Sequence, residues 1–513
     1  MDKHKGEINY FQIFFKILSI TLFILLQLFV VWIIYTSTYI ISIYFEVTYN
    51  LIKIGSIIYL LYKPLNPSYR ITWIILILLF PVFGLLCFIF FGNENAPKRL
   101  KVKSREIREE SKDLLIYKNN LYDELKELNY DAYKQAHYLK ETTGYPLYKN
   151  NNIKYLSLGE EYFKEMLEDM KKAENYIFLE YFIIAKSTIW DEMFKIIKEK
   201  ASQGVKIYII TDQFGSNIRL PKEYLEHFFL SNIYTMVFNP FTPVISTHFN
   251  YRNHRKITII DGKIAYTGGV NIGDEYINKT NRLGHWKDFG VKIEGNAVDS
   301  FITMFIRMWN SKSSNENLNI EDFTTTHESN GKGYTIPFCD GPDNASNPAE
   351  NTYINLINSA KKTIFITTPY LIIDNEILTA LKNASKCGVD VRIIVPHIPD
   401  KKLVFMATRS YYDELLKSGI RIFEYEPGFI HGKMCLIDEE TSVIGTINFD
   451  FRSLYLHYEC GVWTNNTGIE KDMYEDFVNI QNKSIEIKLK DWNKRSKIKK
   501  MLEAILRSFS PLL

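Results

Sequence analysis

Two stretches of this chain carry the same spaced set of ionisable residues: His254, Lys256 and Asp261, and then His431, Lys433 and Asp438. Each set lies on a short apolar run that predicts a strand leading into a turn. Alternation along a strand puts His and Lys, two residues apart, on one face. A histidine alone is most often structural. Two complete copies, each followed at the same interval by a Gly-containing phrase and an asparagine (Asn271 and Asn448), point instead to a paired catalytic set. The chemistry such a pair suits is substitution at a phosphodiester. That group's negative charge repels nucleophiles, so a site must neutralise its non-bridging oxygens and hold attacker and leaving group in line. Lys256 and Lys433, with the side-chain amides of Asn271 and Asn448, suit phosphate binding. One neutral imidazole can attack phosphorus to give a covalent phosphohistidine, while the other, protonated, gives its proton to the departing alkoxide. This route needs neither a metal nor another cofactor. Each imidazole needs an acceptor for its second ring nitrogen, and Asp288 in HWKDFGV and Glu459 in HYECGV occupy corresponding places after the two motifs. Asp261 and Asp438 complete the motif and read as the more structural members, tying the turn and its lysine.

The elements that must position these residues repeat as well. AENYIFLEYF from Ala173 is echoed by AKKTIFITTPY from Ala360, and ASQGVKIYIITD from Ala201 by ASKCGVDVRIIVP from Ala384. Alternating helix and strand predict an α/β fold of two similar domains, each a mostly parallel-type mixed sheet flanked by helices, with equivalent residues converging on one cleft. The domains are placed at 151–310 and 332–487, with a Ser-, Asn- and Thr-rich surface linker at 311–331. A charged connector covers 93–150. At 488–513, Ile498, Met501, Leu502, Ile505, Leu506 and Phe509 recur at helical spacing among Lys497, Lys499, Lys500 and Arg507. That stripe is expected to pack on the second domain in preference to lying on anionic lipid.

Residues 1–92 read as a helical transmembrane anchor. Ile17–Phe45 and Ile71–Phe91 carry no charged residue, and each is long enough to span a bilayer, which takes about 20 apolar residues. A third stretch, Ile40–Tyr62, carries Glu46 and Lys53, so the anchor has two or three spans. Charge favours two. Lys3, Lys5 and Lys16 precede the first span, and Lys98, Arg99, Lys101, Lys103 and Arg105 follow the last, which puts both flanks and the catalytic domains on the cytoplasmic side of the cell membrane. With 62 basic against 59 acidic residues there is no global field for nucleic acid. Five widely spaced cysteines form no Cys-x-x-Cys pair and no disulfide framework.

These residues resemble the phospholipase D superfamily, and the chain is similar to the bacterial cardiolipin synthases within it. The likeness runs through NPSYRITWIILILLFPVFG from Asn66, LEYFI from Leu179, NHRKI from Asn253, GGVNIGDEY from Gly268, the Gly341-Pro342-Asp343 turn, TPYL from Thr368 and the final Pro511-Leu512-Leu513. It implies transfer of a phosphatidyl group between two phosphatidylglycerol molecules, giving cardiolipin and glycerol, with either histidine as nucleophile. Among the many Tyr and Phe residues, most of them expected in the core, Tyr370 is the one cleft-lining candidate. The continuation IIDNE departs from the family's more usual Pro-Asp pair, which puts the substrate-side position of Asp374 in doubt. A hydrolase would carry the same motifs. A nuclease or a silent membrane scaffold fits the spanning anchor and the intact paired motifs less well.

Overall fold

The computed structural model describes residues 10–92, 98–110, 115, 119–216, 232–239, 250–312, 317–325, 329–344 and 346–512. In the first sheet, β1 (Asn152–Leu156), β2 (Tyr176–Tyr181), β3 (Lys206–Asp212), β4 (Ile233–Phe238), β5 (Lys256–Ile260), β6 (Ile264–Gly268) and β7 (Gly290–Glu294) lie in the order β1-β7-β6-β5-β2-β3-β4. The second half supplies β8 (Tyr334–Asp340), β9 (Thr363–Thr367), β10 (Asp390–Pro396), β11 (Arg421–Tyr425), β12 (Lys433–Ile437), β13 (Thr441–Gly445) and β14 (Glu459–Asn465), ordered β8-β14-β13-β12-β9-β10-β11. The two orders are the same, so the repeat seen in the sequence is a repeat of a seven-stranded sheet, which in the second half is extended at its two edges by Tyr148–Lys149 and Ser484–Ile487.

Both sheets are mixed, but parallel pairing is confined to β2-β3-β4 and β9-β10-β11. The remaining pairs are antiparallel, a larger share than the sequence suggested. The reason lies in the motif itself. Asp261-Gly262 turn the chain through positive φ (51° and 67°), and a turn this tight joins only antiparallel neighbours. Asp438 and Glu439 do the same work at φ 53° and 59°.

The boundaries between parts are less clean than 311–331 implied. The helix Val298–Lys312 runs past residue 310, and Phe301 and Phe305 share one core with Ile336 and Phe338 of β8. Within the linker, Ile320 and Phe323 are buried and the Tyr176 hydroxyl donates to the Phe323 carbonyl, so this part is core; residues 313–316 and 326–328 lie outside the described residues. From the connector, Tyr148 and Lys149 pair with Thr335 and Tyr334 on the outer edge of the second sheet.

The membrane segment also departs from expectation. The uncharged run Ile17–Phe45 is divided at Ser37-Thr38 into α1 (Tyr10–Thr36) and α2 (Tyr39–Tyr62), and these two helices are the candidate spans by length and composition. The run Ile71–Phe91, expected to cross, is broken because Pro81 has no N–H to continue a helix. It forms α3 (Pro67–Leu79) and α4 (Pro81–Phe91), of 13 and 11 residues. At 1.5 Å per residue these reach only about 20 Å, short of the roughly 30 Å of hydrocarbon. A Cβ on Gly84 would stand 2.9 Å from the Ile77 backbone, so only glycine permits the close approach of α3 and α4. Gln27 of α1, 6% exposed, accepts from the Val82 and Phe83 N–H groups at 3.1 and 3.3 Å and so caps α4 inside the bundle.

Candidate active site

Two short pairings join the halves. Gly428–Ile430, which leads into the second motif, runs parallel to His285–Lys287, and Asn253, next to His254, bridges Tyr458. The backbone N–H of His254 donates to the Tyr458 carbonyl at 2.9 Å, and that of His431 to the Lys287 carbonyl at 2.8 Å. Each histidine therefore hangs on the segment of the other half that carries its acid. The acids are exchanged: His254 Nδ1 lies 2.9 and 3.0 Å from the two oxygens of Glu459, and His431 Nδ1 lies 2.7 Å from Asp288 Oδ2. Neither imidazole is oriented without the opposite half.

Both rings are buried, at 7% exposure. Burial pushes the His254 pKa down to about 3 and that of His431 to about 4, against the pull of the adjacent carboxylates, so both imidazoles are neutral near pH 7. For the acids, burial acts to raise the pKa but is outweighed by His254 at Glu459 and by His431 at Asp288, leaving both ionised. Burial lowers Lys256 to about 8 and Lys433 to about 7. Lys256 Nζ donates to the His254 carbonyl; Lys433 Nζ stands 2.9 and 3.1 Å from the two ring nitrogens of His431. The electrostatics link the halves too, since Lys256 depresses both His431 and Lys433.

The other expected site residues divide. Asn448 is beside the cluster, with Nδ2 on Asp450 Oδ2 at 3.3 Å and Oδ1 buried without a partner. The Asn271 amide accepts from the Ile183 N–H at 3.1 Å and donates one of its two hydrogens to Tyr276 Oη at 2.8 Å, bonds that fix its orientation. Asp261 accepts from the N–H groups of Glu174, Asn175 and Tyr176 at 2.7–2.9 Å, and Asp438 from those of Lys361, Lys362 and Thr363 at 2.7–2.8 Å. Both sit at the far end of the motif strand, five residues beyond the lysine, and neither holds it: the turn is tied and the lysine is not. Their place in the motif is thus structural and not catalytic. Asp374 caps the helix Asn375–Lys386 and accepts from Tyr455 Oη at 2.6 Å, and Tyr370 Oη donates to Asp400 at 2.5 Å.

Several residues that sequence reasoning missed shape the site. Phe182 meets the His254 ring edge-on at 5.2 Å, while Tyr276, Trp286 and Phe429 surround His431 at 5.4–5.9 Å. Thr446 donates to Glu459 Oε2 at 2.5 Å, and its place in GTIN against GGVN was the visible signal. His457 lies 5.6 Å from the His254 ring, and His254, His457 and Glu459 are the site residues whose atoms could hold a cation. Outside the site, Glu350, Asp374 and Glu376 are similarly grouped; burial and Asp374 raise Glu350 to about 8.

The anchor touches the flanks of this cluster. Asn250, four residues before His254, donates to the Phe91 carbonyl at the end of α4 at 3.1 Å, and Arg452, four after Asn448, reaches the Leu512 carbonyl at 3.4 Å. Thr72 of α3 donates to the Ser508 carbonyl at 2.7 Å.

A duplicated α/β scaffold with exchanged acid-histidine pairs is a phospholipase D-like architecture. The family described as cardiolipin synthase, PLD-like domain, matches residues 166–309 and 353–481, and a phospholipase D-nuclease N-terminal family matches 51–93. The chain belongs to the phospholipase D-like cardiolipin synthase family. It is 34% identical to cardiolipin synthase 2 of Bacillus anthracis over 91% of this chain and 90% of that one, and 38% identical to an uncharacterized protein of Streptococcus mutans over 90% and 100%. In fold it is similar to a phosphatidylserine synthase of Haemophilus influenzae, at TM-score 0.55 and 14% identity, over 74% of this chain and 98% of that one.

Proposed function

We propose that this chain is a membrane-anchored cardiolipin synthase whose two halves form one phosphatidyl-transfer site. The observation that carries the reading is the exchange of Glu459 and Asp288 between His254 and His431, beside an anchor whose α4 ends on Asn250. In the first step, one neutral imidazole attacks the phosphorus of phosphatidylglycerol. The phosphorus–oxygen bond to the headgroup glycerol breaks, and the second imidazole, protonated, gives its proton to the leaving alkoxide, so that glycerol departs and a phosphatidyl-histidine remains. In the second step, the hydroxyl of another phosphatidylglycerol gives its proton back to that second imidazole and attacks phosphorus, which releases cardiolipin and restores the first histidine. Lys256, Lys433 and Asn448 would neutralise and orient the non-bridging oxygens. The carboxylates fix both rings and stabilise each imidazolium as it forms.

The bilayer supplies donor and acceptor lipid at high effective concentration to a tethered cleft. The basic flank after α4 and the lysines before α1 support a multi-pass anchor with both soluble domains in the cytoplasm. Membranes containing the protein, incubated with labelled phosphatidylglycerol, should yield cardiolipin and glycerol, and His254→Ala and His431→Ala should each abolish both. Phosphatidic acid as the sole lipid product would replace this reading with a hydrolase, and no turnover would remove it.

A further inference from the structure

The helix Lys497–Ser508 is amphipathic in an inverted sense. Its inward side is the charged one: Glu503, 5% exposed, pairs with Arg495, which lies over the Trp492 ring at 3.8 Å, and Arg507 meets Glu414 at 2.7 Å. Its outward side is apolar. Ile498, Met501, Leu502 and Ile505 are 67, 57, 44 and 49% exposed, and Leu403 at the start of the adjoining helix Lys402–Ser410 is 58% exposed. The sequence reading, in which the whole stripe packs on the second domain, fails for these four residues of the helix, while Leu506 and Phe509 of the same stripe are half-buried. The largely buried Arg495–Glu503 pair and the half-exposed Arg507–Glu414 pair hold the opposite face down and leave the stripe pointing out.

A patch of this kind gains by leaving water, and three features identify what covers it. First, its rim is basic, with exposed Lys401, Lys402, Lys497 and Lys499. Second, the neighbouring acids are engaged: Asp491 by Lys494 at 2.8 Å, Asp400 by Tyr370, Glu414 by Arg507 and Glu503 by Arg495. Third, the patch is continuous with the anchor, because the Ser508 carbonyl at the helix end accepts from Thr72 of α3.

We propose that Ile498, Met501, Leu502, Ile505 and Leu403 seat in the anionic headgroup–acyl boundary of the bilayer that α1 and α2 cross, as an in-plane contact that sets the height of the cleft above the lipid. The inference rests on the membrane reading of α1 and α2. Apolar side chains on an in-plane helix reach about 5–10 Å into that boundary, while flanking lysines meet anionic headgroups.

Depth-resolved fluorescence on the full-length protein in phosphatidylglycerol–phosphatidylcholine vesicles tests it. Cys387→Ser removes the exposed native thiol, and an environment-sensitive label is then placed by Met501→Cys. Tyr44→Cys on α2, 71% exposed, reports anchor insertion, and Lys471→Cys, on the helix Ile469–Asn482, reports water. The Met501 label is expected to be quenched by shallow lipid-borne quenchers and several-fold less than the Lys471 label by iodide. Lys497→Glu with Lys499→Glu should weaken the lipid quenching in vesicles with phosphatidylglycerol and leave it unchanged in pure phosphatidylcholine. Iodide reaching Met501 as it reaches Lys471, with Tyr44 still quenched by lipid, overturns the proposal and spares the anchor. Shielding of Met501 from both quenchers, with crosslinking to a second copy, overturns it in favour of self-association. A Tyr44 label that escapes lipid quenching removes the anchor reading and this inference with it.

Discussion

Between histidine and lysine the first motif has Arg255 and the second has Gly432, and the residue after each acid differs in the opposite sense, Phe289 following Asp288 and Cys460 following Glu459. Alternation turns this middle residue away from the cleft and into the seam between the halves. In the first half the guanidinium fills that space, with Nε on the Glu459 carbonyl at 3.3 Å and Nη1 3.7 Å from Glu180. In the second half the Phe289 ring fills it, and a Cβ on Gly432 would lie 2.2 Å from that ring. A large residue beside a small one is thus traded across the pseudo-twofold, so two copies of one motif pack without two copies of one side chain. The acids differ likewise. Glu459 accepts from Thr446, whereas the equivalent Gly269 has no side chain, and a Cβ there would stand 2.1 Å from Asp288 Oδ1. Chemical symmetry is kept at the imidazoles and given up in the groups that hold them.

The largest expected effect removes either imidazole. His254→Ala and His431→Ala should each lower cardiolipin formation by about a thousandfold or more, since each step needs a nucleophile and an acid. The variants should differ in trapping: with labelled phosphatidylglycerol, the variant lacking the general acid keeps a nucleophile that can be found phosphatidylated by mass spectrometry at alkaline pH, and the other does not. Adducts on both remaining histidines in equal amount would show that the asymmetry of the supports has no chemical consequence.

Next come the acids. Glu459→Gln and Asp288→Asn should each lower kcat by about 10- to 100-fold. The exchanged pairing is read by double-mutant cycles: Glu459→Gln should cost little more in a His254→Ala background, and should add its full effect to His431→Ala. The reverse pattern would return each acid to its own half. Smaller again is the effect of the motif aspartates on stability. Asp261→Ala strips three backbone N–H groups of an ionised acceptor and should cost about 2–4 kcal/mol, seen as a lower Tm with kcat per folded molecule retained. Asp438, which is more exposed, should cost less on the same change.

The motif, the duplication, the identity of both acids and the α/β class were legible because spacing, alternation and repetition are local. What depended on one half meeting the other was not. No periodicity in HWKDFGV tells which histidine Asp288 serves, because the pairing of His285–Lys287 with Gly428–Ile430 joins segments far apart in the chain. The orientation of the Asn271 amide was hidden for a similar reason, since Ile183, far from it in the chain, makes one of its bonds. In the anchor, hydropathy counted apolar residues and missed that Pro81 ends a helix and that Ser37-Thr38 turns one. At the C-terminus, helical spacing found the stripe, but the direction it faces is set by Glu414, Arg495 and Glu503, whose pairings only the tertiary structure reveals.

The smallest effect separates the two lysines by their protons. In the free protein both imidazoles are neutral at pH 7, and Lys433, lowered by burial to about 7, carries less of its charge than Lys256 at about 8. A phosphodiester brings negative charge into the cluster, which favours every cationic form and raises these pKa values. Binding must then take up protons, a fraction of one at Lys433 and up to about one more at the imidazole that becomes the acid. Calorimetry of a short-chain phosphatidylglycerol at pH 7, in buffers of different ionisation enthalpy, counts them directly. Lys433→Arg, which carries its charge beforehand, should remove that fraction from the uptake, while Lys256→Arg, replacing a group that carries more of its charge, should remove less. Because the uncharged fraction of each lysine disappears as pH drops below its pKa, the difference between the variants should vanish near pH 5, where both lysines are protonated before ligand arrives. Equal loss in the two variants at pH 7 would mean that the lysines, unlike their neighbours, obey the symmetry of the sequence repeat.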